Sequence, residues 1–249
     1  MKRATAGIVG RDRHWVIMAA ISAMVTLFVG CKYVAAPGGG SGWQEMPGNL
    51  SQVSAGSGAH IWGVAFNLEI YRWTGGGWQR VEGRLKNVSA ASDGTVWGVN
   101  ASGEVWRWTG SKWEHMPGAL KQVSVGNRSN IWGVTENDDT FRWTGIEWQR
   151  IDAKLSSISA GPDGTVWGVS PYDEIWRWTG GRWERMPGAL KQVSVAASDR
   201  VWGVNAAGEV FRWAGSSWQR VDGGLAQISA ASDGTVWGVT RAGQVLRRY

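Results

Sequence analysis

Trp97-Gly98-Val99-Asn100-Ala101-Ser102-Gly103-Glu104-Val105-Trp106-Arg107-Trp108 decides the fold. Two short apolar runs flank a polar Asn-Ala-Ser-Gly segment, the pattern of two strands joined by a tight turn. The opening Trp-Gly-Val recurs at Trp62, Trp97, Trp132, Trp167, Trp202 and Trp237, always 35 residues apart. A second tryptophan follows eleven residues later at Trp73, Trp108, Trp143, Trp178 and Trp213, and Arg248 stands there in the sixth repeat. A third series runs Trp43, Trp78, Trp113, Trp148, Trp183 and Trp218. Together the series take 17 of the 20 tryptophans, so a single repeating packing unit governs the composition.

Each repeat holds four β-like runs. In the first they are Gln52–Ala55, Ile61–Val64, Ile70–Trp73 and Trp78–Val81. Asp93-Gly94, Asp163-Gly164 and Asp233-Gly234 separate the first two runs in alternate repeats, as hairpins prefer. Four antiparallel strands in 35 residues predict an all-β chain, a six-bladed β-propeller of four-stranded antiparallel blades. A β-solenoid is the competing architecture, but its coils are shorter and are not hairpins. The ends supply a test. The sixth repeat stops after its third run, and the array begins with an orphan fourth run at Trp43, so the N-terminal strand is expected to complete the C-terminal blade and cap two open edges. The small Val-Ser-Ala runs belong nearest the axis and the Trp-Gln-Arg runs outermost. The glycine of Trp-Gly-Val is expected to let a neighbouring side chain lie flat on the backbone.

A buried tryptophan covers roughly 150–250 Å² and contributes roughly 4–6 kcal/mol as an upper bound. Blades this thin have little other core, so the serial tryptophans read as cement between blades. Trp106 and Trp176 lie off the series and are better candidates for ligand contact, although Tyr71, Phe141 and Phe211 share their position. Met46-Pro47-Gly48 recurs every 70 residues, at Met116 and Met186, while Val81-Glu82-Gly83, Ile151-Asp152-Ala153 and Val221-Asp222-Gly223 fill the alternate repeats. The ring is therefore three copies of a two-blade unit, with any site expected three or six times.

The pattern Trp-Gly-Val-Asn-x-x-Gly-x-Val-x-Arg-Trp, at Trp97–Trp108 and Trp202–Trp213, resembles the tectonin β-propeller repeat across residues 42–249. The resemblance implies a lectin-like propeller that binds glycans or glycoconjugates on microbial surfaces; other proteins with the repeat are intracellular interaction scaffolds. Leu246 and Arg248 stand where aromatics are usual, and Thr240-Arg241 replaces the Asn-Ala of two other repeats, which puts six equivalent sites in doubt. The loops between the second and third strands share a face with the inter-blade loops and are polar. From them and the off-series aromatics come the candidate carbohydrate-binding residues Asn67, Glu69, Asn100, Glu104, Trp106, Asp139, Asp173, Glu174, Trp176, Asn205 and Glu209. An arginine follows on each third strand (Arg72, Arg107, Arg142, Arg177, Arg212), completing the donors and acceptors that sugar hydroxyls need. The alternative for these charged groups is to tie strands and blades together. Linked weak sites gain about 10²–10⁴ in avidity, so multivalence is the expected mechanism. The runner-up function is a protein-interaction scaffold at the cell envelope.

An enzyme is not expected. Ser92–Trp97 is similar to the Asp-box hairpins of sialidases, with compressed spacing, but no set of carboxylates and arginines breaks the repeat symmetry as a hydrolase requires. No cofactor is expected, and no metal, since the three histidines are scattered and Cys31 is the single cysteine. Net charge is +6, of which +3 falls in residues 1–30. The remaining +3 is too dilute for nucleic-acid binding, and a monomeric ring is expected.

Residues 1–30 read as an export signal, with a basic start and an uncharged run from Trp15 to Val29, short for a membrane span. Gly30-Cys31 at its end resembles a bacterial lipobox, with Phe28 and Val29 departing from the usual residues. That resemblance implies cleavage before Cys31 and lipidation there, hence an exported, lipid-anchored protein of the cell envelope. An uncleaved N-terminal anchor and cleavage elsewhere remain as alternatives. Residues 31–41 read as a flexible Gly/Ser-rich tether.

Overall fold

The computed structural model describes residues 42–249. The export segment, the tether and Cys31 lie outside the described residues. Six four-stranded antiparallel sheets follow one another around an axis. In the first blade the strands run Gln52–Ser57, His60–Val64, Glu69–Trp73 and Trp78–Arg84, from the axis outward. The sixth blade takes Gln227–Ala230, Val236–Val239 and Gln244–Arg248 from the C-terminus, and Trp43–Asn49 from the N-terminus as its outermost strand. Trp43 pairs with Arg248. The chain ends thus close the ring as expected, and every strand of the ring lies within residues 43–249.

The axis is lined by the small Val-Ser-Ala runs because the blades converge there. Each inner serine accepts the backbone N–H of the next blade. Ser54 takes Ala90, Ser89 takes Val125, Ser124 takes Ala160, Ser159 takes Val195, Ser194 takes Ala230, and Ser229 takes Ala55, the first five at 2.8–2.9 Å and the last, closing the circle, at 2.9 Å. These bonds satisfy inner-strand edge groups that would otherwise be left open at the channel. A second tier does the same with longer side chains. Gln52 grips the Val88 N–H and C=O, Gln122 grips Ile158, Gln192 grips Ile228 and Gln227 grips Val53, while Asn87 accepts from Val123.

The Trp-Gly-Val glycine does what the sequence suggested. A Cβ at Gly98 would lie 2.3 Å from Leu85 Cδ1, and one at Gly168 would lie 2.5 Å from Leu155 Cδ1. The leucine of each inter-blade linker therefore lies flat on a bare backbone and is buried. Each seam is then filled by one indole from the earlier blade and two from the later. Trp62 meets Trp108 at 5.6 Å and Trp113 at 5.9 Å between centroids, mostly edge to face, and those two meet at 5.2 Å. Four further seams repeat this triad. The fifth-to-sixth seam lacks one indole, because Arg248 replaces it. Trp202 there is 9% exposed, against 0–2% for its five counterparts.

On the rim where first and second strands join, Asp93, Asp163 and Asp233 clamp neighbouring blades. Each accepts from its own turn (Thr95, Thr165, Thr235) and from a backbone N–H of the next blade (Arg128, Ser198, Gly58). Burial pushes their carboxyls up, but these hydrogen bonds outweigh it and hold all three below the usual aspartate range.

Candidate functional site

The loops between second and third strands share a face with the inter-blade linkers, to which they are bonded: Leu85 N–H donates to Leu68 O at 3.0 Å and Leu155 N–H to Asp138 O at 2.8 Å. One residue of each such loop takes positive φ. It is glycine in three blades (Gly103, Gly208, Gly243) but Leu68, Asp138 and Asp173 in the others, at φ 68°, 64° and 65°. Non-glycine residues held in this region mark places where the backbone is constrained for a reason.

The loop polar groups largely satisfy one another. Asn100 accepts the Glu104 N–H at 2.9 Å and donates to its carboxylate at 2.5 Å, and Asn205 does the same for Glu209 at 2.9 and 2.8 Å. Glu69 takes Asn67 at 3.0 Å, Tyr71 at 2.9 Å and Arg80 at 3.0 Å, and these hold its carboxyl below the usual glutamate range. Asp139 pairs with Arg150 at 2.8 Å and Lys154 at 3.1 Å, which lower it likewise. Asp173 pairs with Lys191 at 2.7 Å, Glu174 with Arg185 at 3.1 Å and Glu209 with Arg220 at 3.0 Å.

The third-strand arginines do not join these groups. Arg72 donates to Gln79 at 3.0 Å, Arg107 pairs with Glu114 at 2.5 Å and Arg177 with Glu184 at 2.6 Å. They line grooves of about 840 and 680 Å³ on the opposite face, the first with Arg72 and Arg107, the second with Arg142 and Arg177. Glu69 and Arg72 are three residues apart on one strand. An odd separation puts them on opposite sides of the sheet and about 10 Å along it, so the assembled Asn–Glu–Arg set expected from sequence is not formed. The cations that meet the loop carboxylates come instead from the outermost strand or the linker that follows it.

What the loop face does assemble is a cleft of about 580 Å³ between the third and fourth blades. Asn137, Asp138, Asp152, Lys154, Ser170 and Glu174 supply its polar edge; Ala153, Leu155, Pro171, Tyr172, Trp176 and Trp183 supply its apolar floor and walls. Of the residues marked from sequence, Glu174 and Trp176 meet here. Asp173 turns to Lys191 in the next linker. Trp106 holds the equivalent place one two-blade unit earlier, half-buried and edge-on to His115 at 5.1 Å. Asp139 lies in the third blade beside the cleft-lining Asp138, and Asn67, Glu69, Asn100, Glu104, Asn205 and Glu209 lie on the same face in other blades.

The profile of the tectonin domain matches residues 16–109, 91–180 and 172–249. The chain belongs to the tectonin domain family. None of the curated proteins compared matches it. Among solved structures, "YCF48 bound to D1 peptide" is 18% identical, with a TM-score of 0.56 over 80% of this chain and 78% of that one. U3-55K is 9% identical, with a TM-score of 0.61 over 82% and 79%. The Myceliophteria thermophila Cps50 (Swd1) propeller domain is 8% identical, with a TM-score of 0.59 over 82% and 98%. These likenesses show the propeller fold alone.

In this tectonin propeller the third-to-fourth seam departs from the others in ways that sequence reasoning passed over. Tyr172, 86% exposed, stands where the other repeats have Asn67, Ser102, Asn137, Ala207 and Ala242. Ala153 stands where the others have Gly48, Gly83, Gly118, Gly188 and Gly223, all at positive φ. Those glycines sit in a bulge of the outermost strand that closes under the next blade's indole. Its carbonyl accepts the indole N–H, as in Trp78 to Pro47 at 2.7 Å, Trp113 to Glu82 at 3.0 Å and Trp148 to Pro117 at 2.7 Å. A Cβ in the glycine conformation would lie 2.8 Å from Trp78 Nε1 or 2.7 Å from Trp148 Nε1. Ala153 does not take that conformation, and the Trp183 N–H is buried with no partner among the described residues. Such a donor costs about 1–3 kcal/mol. The signal was present in the sequence as one alanine among five glycines.

Proposed function

We propose that this tectonin propeller binds carbohydrate through the loop face, at the clefts between the first and second blades of each two-blade unit. The observation that carries the reading is the third-to-fourth cleft. An indole wall at Trp176 and an exposed phenol at Tyr172 suit the C–H face of a sugar ring, and Asn137, Asp138 and Glu174 line the edge where hydroxyls would lie. The first-to-second cleft keeps the indole as Trp106, whereas the fifth-to-sixth has Leu246 there and Ala242 in place of Tyr172. Binding through repeated sites is therefore unequal among the three units. The ring's repeated hydrogen-bonding and packing give each cleft a rigid frame, which suits recognition rather than catalysis.

A glycan array probed with residues 42–249 tests this. Binding to a defined glycan set is expected, and Trp176→Ala should weaken it about tenfold or more. No glycan signal, with a retained pull-down of an exported protein, would favour the interaction-scaffold reading instead. One solved propeller with this fold is described with a bound peptide, which keeps that reading specific. The N-terminal sequence supports a site of action at the cell envelope. Mass spectrometry of the native protein should find a lipidated Cys31 as its first residue; an unmodified Cys31 would remove the lipid anchor from this account.

A further inference from the structure

The six seams of the ring repeat the same donor. Five of the outer-strand indoles, Trp43, Trp78, Trp113, Trp148 and Trp218, donate to a carbonyl in the preceding blade's bulge. Trp183 has no such acceptor. It is the indole that lines the third-to-fourth cleft together with Asp152 and Ala153, the bulge that should have served it. The same cleft carries the aromatic pair Tyr172 and Trp176, and Asp138 on its edge is held at φ 64°. A lost acceptor, an apolar floor and a constrained loop thus coincide at one of six equivalent places.

We propose that Ala153 makes this seam the principal ligand site of the ring, and that the bound ligand supplies the missing acceptor to Trp183 Nε1. The inference rests on the carbohydrate reading and narrows it to one dominant site per chain. A sugar hydroxyl, ring oxygen or acyl carbonyl provides the acceptor while the ring lies against Trp176. The N–H is covered as the cleft stands, so the ligand oxygen reaches it as the Asp152–Ala153 bulge moves aside. In the first-to-second seam the equivalent Trp113 N–H is already taken by Glu82 O at 3.0 Å. In the fifth-to-sixth seam Trp43 is taken by Asp222 O at 2.7 Å, and the aromatic wall is absent. In neither is the outer-strand indole N–H free for a ligand.

The test is an indole ¹H–¹⁵N titration of residues 42–249, whose ring closes on itself, with the methyl glycosides of glucose, galactose, mannose and N-acetylglucosamine up to about 100 mM, a range set by millimolar affinities. The Trp183 resonance is expected to move first and furthest, while Trp78, Trp113, Trp148 and Trp218 hold still. Ala153→Gly restores the bulge of the other seams. It should bring the unliganded Trp183 signal into the hydrogen-bonded set and lower affinity about tenfold, the size of one hydrogen bond in a buried site. Equal shifts at two or more seams, or an affinity unchanged by Ala153→Gly, overturn the single-site proposal and leave carbohydrate binding standing. No shift with any glycoside overturns both.

Discussion

Blades 2 and 4 occupy the same place in the two-blade unit, 70 residues apart, and share the inner-serine bond and the aspartate clamp to the next blade, yet differ at three other places. In blade 2, Trp113 finds its carbonyl in blade 1, Asn87 holds the Val123 N–H of blade 3, and the loop residue at positive φ is Gly103. In blade 4, Trp183 finds no carbonyl, Ser157 stands where Asn87 does and does not reach Val193, and the loop residue at positive φ is Asp173. Its exposed Tyr172 replaces a serine. Repetition lets the molecule serve as its own control. The positions that obey the repeat show what the ring needs, and those that break it show what was given up in one blade for something else.

The sharpest comparison removes the indole N–H from both blades. Trp113→Phe deletes a donor that is in use; Trp183→Phe deletes one that is not. Loss of ring area is common to both and cancels. Trp113→Phe should therefore be more destabilising than Trp183→Phe by about 2 kcal/mol. Urea unfolding of the two variants measures the difference through the midpoint at constant slope. Equal losses would mean that the Trp183 N–H has a partner after all, and the contrast between the blades would disappear.

How much of this was legible beforehand follows from what each residue does. The 35-residue period reports packing that every blade must repeat, so Trp62, Trp108 and Trp113 announce the seam, and Gly98 announces a side chain lying flat on it, which the structure identifies as Leu85. Ring closure was legible from the orphan strand at Trp43. The site was legible only in part. Trp176 and Glu174 were marked and do meet, because both face the preceding blade from one strand. The arginines were misplaced because proximity in sequence was taken for proximity in space, although alternation along a strand sends Glu69 and Arg72 to opposite sides. Ala153 was visible as an exception but had no meaning without the geometry. Only the positive φ of its counterparts, with the indole closing over them, shows what an added methyl disturbs.

The smallest predicted effect concerns the inner edge of the same blade. Ser157 lies where Gln52, Gln122, Gln192 and Gln227 bridge to the following blade, and no side chain among the described residues reaches the Val193 N–H as those glutamines reach its counterparts. Ser157→Gln should supply one and raise stability by about 0.5–1.5 kcal/mol, seen as a higher urea midpoint. An unchanged midpoint would mean that channel water already serves Val193. Measured beside it, sugar affinity separates the two irregularities of blade 4. Unchanged affinity would make the gap at the axis a plain loss of fit, independent of the cleft. A fall in affinity as the blade is pinned would mean instead that the cleft opens by letting blade 4 shift, and that both irregularities serve the one site.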